Sequence, residues 1–321
     1  MLNMQRLEIF VAVVEAGSFT GAANTLGLTK AAVSFHIKQL EETLGVSVLT
    51  RTTRQVAVTD AGERFYLRCL KLLQDAENIL DDVRSDHTGL SGILRITTTP
   101  EYGARVVVPV LSAFAALHPQ LRIQHVASSR NDDLISGRFD VAIRLGQLTD
   151  STHHAKLIDT FDILPVASKD YLKMHHGNTI ADLKQLQSAR WIAHSRLNTP
   201  LDWQVLTPKG DNVLFKADAP PMLMADSAAS LLAFARCGAG VALLPAWLVQ
   251  EDIANGSLTQ LLPEHRFPRQ GIFALYPNTR HISEKVRRWI DFLQSQIEKT
   301  NSHPSRHLSH VTEIQMHDRN E

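Results

Sequence analysis

Leu7, Phe10, Val11 and Val14 recur at i, i+3, i+4 and i+7, the spacing that lines one face of a helix over residues 5–16, and Gly17 stops the run. Ser18 then opens a second, shorter helix in which Phe19, Ala22, Ala23 and Leu26 share a face, closed by Gly27. Thr29 stands where the cap of a third helix belongs, and Val33, Ile37, Leu40 and Leu44 follow at intervals of 4, 3 and 4 before Gly45. The second and third helices are joined only by Gly27-Leu28-Thr29, and a turn this tight predicts a helix-turn-helix.

Beyond Gly45 the period changes. Residues 46–49 and 55–59 flank Thr50-Arg51-Thr52-Thr53-Arg54, predicting a β-hairpin with a basic, polar tip, which is a wing. Asp60-Ala61-Gly62-Glu63 has the form of a capping box and opens a helix to about Asp86. Within it Phe65, Cys69, Leu72, Ala76, Ile79 and Val83 alternate at intervals of 4 and 3, a heptad seam. A single exposed helix has no use for such a seam, so pairing between chains is expected, with packing against its own domain as the alternative.

Gly89-Leu90-Ser91-Gly92 reads as a flexible break, after which strands and helices alternate. Strands are expected over 93–98, 121–126, 140–145, 161–168, 191–193, 241–244 and 272–276, and helices over 101–117, 132–136, 169–175, 227–236, 247–253 and 283–297. This rhythm predicts mainly parallel sheets with helices on both faces, the last strand and helix returning to the first lobe.

Several of these segments are recognisable together. Leu28-Thr29-Lys30-Ala31-Ala32-Val33-Ser34-Phe35-His36-Ile37-Lys38-Gln39-Leu40-Glu41-Glu42-Thr43-Leu44-Gly45, then Leu49-Thr50-Arg51 and Val58-Thr59-Asp60-Ala61-Gly62, resemble the signature of LysR-type transcription regulators. The blocks 139–146 (Phe-Asp-Val-Ala-Ile-Arg-Leu-Gly) and 238–245 (Gly-Ala-Gly-Val-Ala-Leu-Leu-Pro) resemble landmarks of that family's sensor domain, in the same order, so the likeness covers about residues 4–297. It implies an N-terminal all-α winged helix-turn-helix with a long linker helix and a C-terminal α/β two-lobed domain of periplasmic-binding-protein type. The expected division is residues 1–59 for DNA binding, 60–88 for the linker and dimerisation helix, and 89–300 for effector sensing, with a flexible tail over 301–321. The sensing lobes are expected at about 93–161 plus 269–300, and at 162–268. Lys30-Ala31, Phe35 and Leu49-Thr50 depart from residues common in the family, and they fall on the face that reads DNA.

Charge then localises the chemistry. With 33 basic and 33 acidic residues, no global field draws the chain to nucleic acid, so affinity must come from placement. In the third helix Ala31, Phe35, Lys38 and Glu42 point away from the apolar stripe. Lys30 and Lys38 suit phosphates or guanine edges, Ser34 a base edge or phosphate, and Ala31 and Phe35 thymine methyl groups. Ser18, Thr20 and Thr29 could donate to phosphates, although capping explains Ser18 and Thr29 equally well. Arg51 and Arg54 complete the candidate surface from the wing. Residues 16–59 hold four basic groups (Lys30, Lys38, Arg51, Arg54) against two acidic (Glu41, Glu42), so one copy should bind weakly and a homodimer, further paired into a homotetramer, is expected to read two-fold double-stranded DNA.

In open α/β sheets ligands bind beyond the carboxyl ends of strands. Thr98, Thr99, Arg144, His194, Ser195 and Ser227 lie at such ends or at helix starts, and could line a pocket for a small carboxylate or similar polar metabolite. Polar strand ends and caps occur in every α/β protein, and Arg144 alone could be a salt bridge.

No cofactor motif competes with this reading. Gly238-Ala239-Gly240 lacks the third glycine of a dinucleotide fingerprint and precedes its strand, and no nucleophile elbow, phosphate loop or zinc-protease motif occurs, so an enzyme is not expected. A solute-binding protein remains the second rival, opposed by the lysines of the third helix and the arginines of the wing. Cys69 and Cys237 read as small buried hydrophobes, His153-His154 and His175-His176 as surface loops, and His303, His307 and His310 as part of the polar tail rather than a metal site. Glu8 and Glu15 interrupt the early apolar run, so neither a signal peptide nor a membrane span is read and a cytoplasmic protein is expected.

Overall fold

The computed structural model describes residues 3–51, 56–128, 139–146, 153–277 and 282–302. Helix α1 (Met4–Ala16) begins where the Asn3 side chain accepts from the Arg6 amide, α2 (Phe19–Leu26) where Ser18 accepts from Gly21, and α3 (Lys30–Leu44) where Thr29 accepts from Ala32. Gly17, Gly27 and Gly45 close the three. On α1 the buried surface is wider than the stripe read from spacing: Ile9 and Val13 are buried as well as Leu7, Phe10 and Val11. The cause is its central position, with α2, α3 and the linker helix all packed on it. Leu26 at the end of α2 is instead exposed.

Strands β1 (Leu49–Arg51) and β2 (Val56–Val58) form the antiparallel wing, with Leu49 opposite Val58. Arg54 lies outside the described residues, as does the side chain of Arg51. Helix α4 (Asp60–Thr88) follows. Its cap is Thr59 and not Asp60: the Thr59 hydroxyl accepts from the Gly62 amide at 3.0 Å, leaving Asp60 in the first turn where a carboxylate suits the helix dipole. Gly62 is required by a close approach, because a Cβ there would collide with the Val48 carbonyl oxygen.

The heptad seam divides between two partners. Cys69 is 2% exposed, and the ring of Phe65 lies 5.4 Å from that of Phe10, so both belong to the core of their own domain together with Tyr66. Their expected place on a face between chains is corrected accordingly, since the first turns of α4 pack on α1. Further along, Leu72 and Ile79 are 47% and 64% exposed and Ala76 is half-buried, whereas the side chain of Val83 lies outside the described residues. Burial pushes the Cys69 thiol up to about 12, which makes it inert. Cys237 is exposed, not buried as expected.

Residues 89–92 are not a free linker, because Leu90 is 5% exposed and sits in the core of the sensor domain. From there β3 (Gly92–Thr98) leads into a helical segment made of α5 (Pro100–Tyr102), a π turn (Gly103–Val107) and α6 (Val108–Leu117). Strands β4 (Leu121–Ala127), β5 (Val141–Gly146) and β6 (His153–Phe161) complete the outward path, the helix read at 132–136 lying outside the described residues. The second lobe holds β7 (Ile163–Ser168), α7 (Lys169–His176), α8 (Leu183–Gln187), β8 (Trp191–His194), the hairpin β9 (Asp202–Leu206) and β10 (Asn212–Lys216), and β11 (Leu223–Ala225). It continues with α9 (Ala228–Arg236), β12 (Val241–Pro245), α10 (Ala246–Asn255) and β13 (Leu258–Gln260), and the chain returns through β14 (Gln270–Pro277) and α11 (Glu284–Ser302).

The first sheet has the order β4-β3-β5-β14-β6 and the second β11-β8-β12-β7-β13. Each is mixed rather than mainly parallel: β14 runs against β5 and β6, and β7 runs against β12 and β13. The antiparallel halves arise where the chain crosses between lobes, once from β6 to β7 and once from β13 to β14, since a strand arriving from the other lobe enters its sheet from the opposite end. His153-His154 opens β6 and His175-His176 ends α7, so neither pair is the loop expected.

Replacing Gly62 with Ala should destabilise the N-terminal domain by about 1–3 kcal/mol, because either α4 or the wing must move. Thermal or urea unfolding checks this, and an unchanged midpoint contradicts the packing described.

Candidate functional site

The candidate DNA-reading surface follows from the burial of α3. Val33, Ile37 and Leu40 are at most 1% exposed, which leaves Phe35 at 59% and Lys38 at 74% on the opposite side. Phe35 meets the His36 ring edge-on, centroids 5.7 Å apart, and Lys38 pairs loosely with Glu42 at 3.8 Å. Lys30, Ala31, Thr20 and Thr29 are exposed and Ser34 and Ser18 half-buried. The hydroxyls of Ser18 and Thr29 are engaged as caps. A bulky apolar ring in water at the centre of a polar face has no structural use in the monomer.

Glu41 is not a charge on that face. Its carboxylate accepts from the amides of Val48 and Leu49 at 2.9 and 3.2 Å, which ties the start of the wing to α3. The local balance of exposed charge is therefore more positive than a count along the sequence gives.

Midway along its length α4 is fastened to the first sensor lobe. Gln74 donates to the Asp140 carboxylate, whose other oxygen accepts from the Arg95 amide at 2.7 Å, and Arg95 pairs with Glu77 at 3.3 Å. Asp140 is 3% exposed. Burial raises its carboxyl above the usual range, and the Arg95 amide, Lys285 and Gln74 pull it back in that order. Nothing in the local sequence pattern marks any of these residues as a functional contact.

The effector candidates are spread over both lobes. Thr98 is fully buried, its hydroxyl 2.8 Å from His125 Nε2 and packed against Gly103, so it faces the interior of lobe one and not a ligand. This corrects its expected role. Thr99, the next residue, lies past the end of β3, and its buried hydroxyl has no hydrogen-bond partner; it caps α5 by position without a side-chain bond. Arg144 is 5% exposed and donates to the Thr97 hydroxyl at 3.3 Å, one residue past the Thr98–Ile143 pairing of β3 and β5.

On the second lobe, His194 ends β8 and its Nδ1 accepts from the Arg196 amide at 3.3 Å. Burial lowers its imidazole, aided by Arg196 and opposed by Asp226 and Glu101. Ser195 is exposed, Arg196 pairs with Asp226 at 2.9 Å, and Ser227 caps α9. Two side chains missed in the sequence lie here: Trp247, whose indole nitrogen is buried without a partner, and Glu101, whose carboxylate reaches the second lobe. The only signal for Glu101 was an acid in the first turn of a helix. Among the described residues no group of three or more side chains could hold a metal, and no helix is long and apolar enough to cross a membrane.

A helix-turn-helix with an exposed outer face, a linker helix with an exposed apolar seam and a two-lobed α/β domain define a ligand-responsive DNA-binding regulator. Residues 4–63 match the family model described as "Bacterial regulatory helix-turn-helix protein, lysR family", and residues 87–298 match "LysR substrate binding domain". The chain belongs to the LysR family of transcriptional regulators, which bind DNA and small-molecule effectors, form oligomers and are not enzymes. It is 35% identical to the HTH-type transcriptional regulator PtxR of Pseudomonas aeruginosa, covering 92% of this chain and 93% of PtxR. It is 30% identical to CrgA of Neisseria meningitidis serogroup C, over 92% and 97%. Among solved structures, the full-length Vibrio cholerae virulence activator AphB aligns with a TM-score of 0.59 at 28% identity, covering 92% of this chain and 99% of AphB, and CrgA aligns at 0.56 and 28% with the same coverage.

Replacing Gln74 with Leu should leave the Asp140 carboxyl higher still. A raised carboxyl contributes stability below its unfolded value, near 3.8, and loses it as pH rises through the folded value, so the variant should lose about 1–2 kcal/mol at pH 7 and less at pH 4. Urea unfolding at the two pH values checks it, and an equal loss at both contradicts the buried contact.

Proposed function

We propose that this regulator works in the cytoplasm as a homodimer, paired further into a homotetramer, that reads an interrupted two-fold DNA site and changes the spacing of its DNA-binding heads when an effector enters between the lobes. The observation that carries the DNA half is the exposure of Phe35 and Lys38 on the far side of a fully buried stripe. The N-terminal half of α3 enters the major groove, Ala31 and Phe35 against thymine methyls, Lys30, Ser34 and Lys38 to base edges or phosphates. Thr20, Ser18 and Thr29 flank the backbone, and Arg51 and Arg54 reach it from the wing.

The seam between chains begins at Leu72 and runs through Ala76 and Ile79 to Val83, with the exposed Leu80 beside it. These exposed apolar groups need cover. The effector, a small carboxylate or similar polar metabolite, is bounded by Thr99, Arg144, His194, Ser195 and Ser227. The unpartnered Thr99 hydroxyl and Trp247 indole nitrogen support a polar occupant. Binding shifts the head spacing only to the extent that one lobe arrangement holds the effector better.

Replacing Lys38 and Arg51 together with Ala should weaken DNA binding and flatten the dependence of log affinity on log salt by about 0.9 for each phosphate no longer neutralised, with the melting temperature unchanged. A gel-shift titration on DNA from upstream of the regulated gene reads both, and unchanged binding contradicts the assigned face. Replacing Leu72 and Ile79 with Asp should dissociate the dimer in sedimentation runs, whereas an assembly of unchanged mass contradicts the seam.

A further inference from the structure

The two lobes are bridged by three side chains of one helical segment. Glu101 Oε1 accepts from the Ala229 amide at 3.0 Å on the first turn of α9, and Arg105 Nη2 donates to Glu251 Oε1 at 2.7 Å on α10. Between them the ring of Tyr102 stands edge-on to Trp247, centroids 5.3 Å apart. The segment is held firmly to the first lobe, because Gly103 packs on Thr98, whose hydroxyl is fixed by His125.

The Glu101 contact has the form of a ligand contact. Amides in the first turn of a helix have no carbonyl partner within the helix and carry its positive end, so they attract a carboxylate. At α9 the Ser230 amide is satisfied by Ser227, the helix's own cap, while the Ala229 amide is satisfied by a carboxylate from the other lobe, 128 residues away. Glu101 also lies in the first turn of its own helix, so two helix dipoles favour the charge it places in the cleft. Its field reaches His194 on the far wall.

We propose that Glu101 is a built-in stand-in for the effector: with Arg105 as a second strut it latches the lobes together across the cleft, and an effector that bonds the first turn of α9 must displace it. The proposal rests on reading this cleft as the effector site. It makes regulation a competition between two groups for one amide. The protein then has a defined closed arrangement without ligand, and the effector's differential affinity is set against the strength of the Glu101–Ala229 bond. Arg105–Glu251, away from that amide, resists opening without competing directly.

The test uses the full chain, without DNA or natural effector, so its failure leaves the DNA-binding reading standing, and a failed gel shift leaves the latch standing. Hydrogen exchange is followed at the amide of Ala229 in the wild type, E101A, E101Q and R105A. The Glu101→Ala change should speed exchange there by about tenfold, as expected for loss of one charge-assisted hydrogen bond, while amides of β5 and β12 keep their rates. E101Q should fall between, and covers the case in which E101A does not fold. R105A should speed exchange less, by loosening the closed lobes. Added acetate should restore slow exchange in E101A, where the carboxylate's place is vacated, and leave the wild type unchanged. Equal rates at Ala229 in wild type and both Glu101 variants would overturn the latch. So would uniform acceleration throughout the second lobe, which marks a structural support, or a folded E101A that acetate does not protect.

Discussion

The rotation of α3 about its own axis is the constraint on which the N-terminal half depends. Val33, Ile37 and Leu40 are withdrawn from water against α1, each worth about 1.5–3 kcal/mol, and no other rotation buries all three. Phe35 and Lys38 are outward because those three are inward. The wing is set by the same helix, since Glu41 on its flank holds the amides of Val48 and Leu49. One core thus orients the two elements that approach DNA.

The linker helix carries that orientation to the sensor. Its first turns are part of the N-terminal core through Phe65, Tyr66 and Cys69, and its middle is bonded to the first lobe through Gln74 and Glu77. The second lobe has no such tie among the described residues: it joins the first by two crossing segments and by the contacts of Glu101, Tyr102 and Arg105. A change in the angle between lobes therefore moves lobe two against a body made of lobe one and the linker.

Features governed by neighbours along the chain are legible in the sequence by itself. The caps at Ser18 and Thr29, the terminal glycines, the stripe of α3 and the βαβ alternation all depend on residues a few positions apart. What spacing does not supply is the identity of a partner. A heptad seam looks the same whether it meets its own domain or another chain, so its pattern puts Phe65 and Cys69 on the wrong interface, while the exposure of Leu72 and Ile79 agrees with an unpaired face. Strand β6 escapes the pattern because polar residues break its alternation, and one of them, Lys156, is held by Asp291 of α11 at 2.8 Å. Thr98 and Thr99 show the limit most sharply: adjacent and chemically identical, yet the Thr98 hydroxyl is fixed by His125 while the buried Thr99 hydroxyl has no hydrogen-bond partner. The bonds of Gln74 to Asp140 and of Glu101 to Ala229 span 66 and 128 residues, beyond any local pattern.

The central claim is that the outer face of α3 meets base pairs. A photo-cross-linking phenylalanine analogue at position 35, irradiated in the complex with operator DNA, tests it directly. The account predicts adducts to bases in the major groove, concentrated at thymines, from position 35. Adducts only to protein, or DNA bound with position 35 still open to solvent, would contradict it.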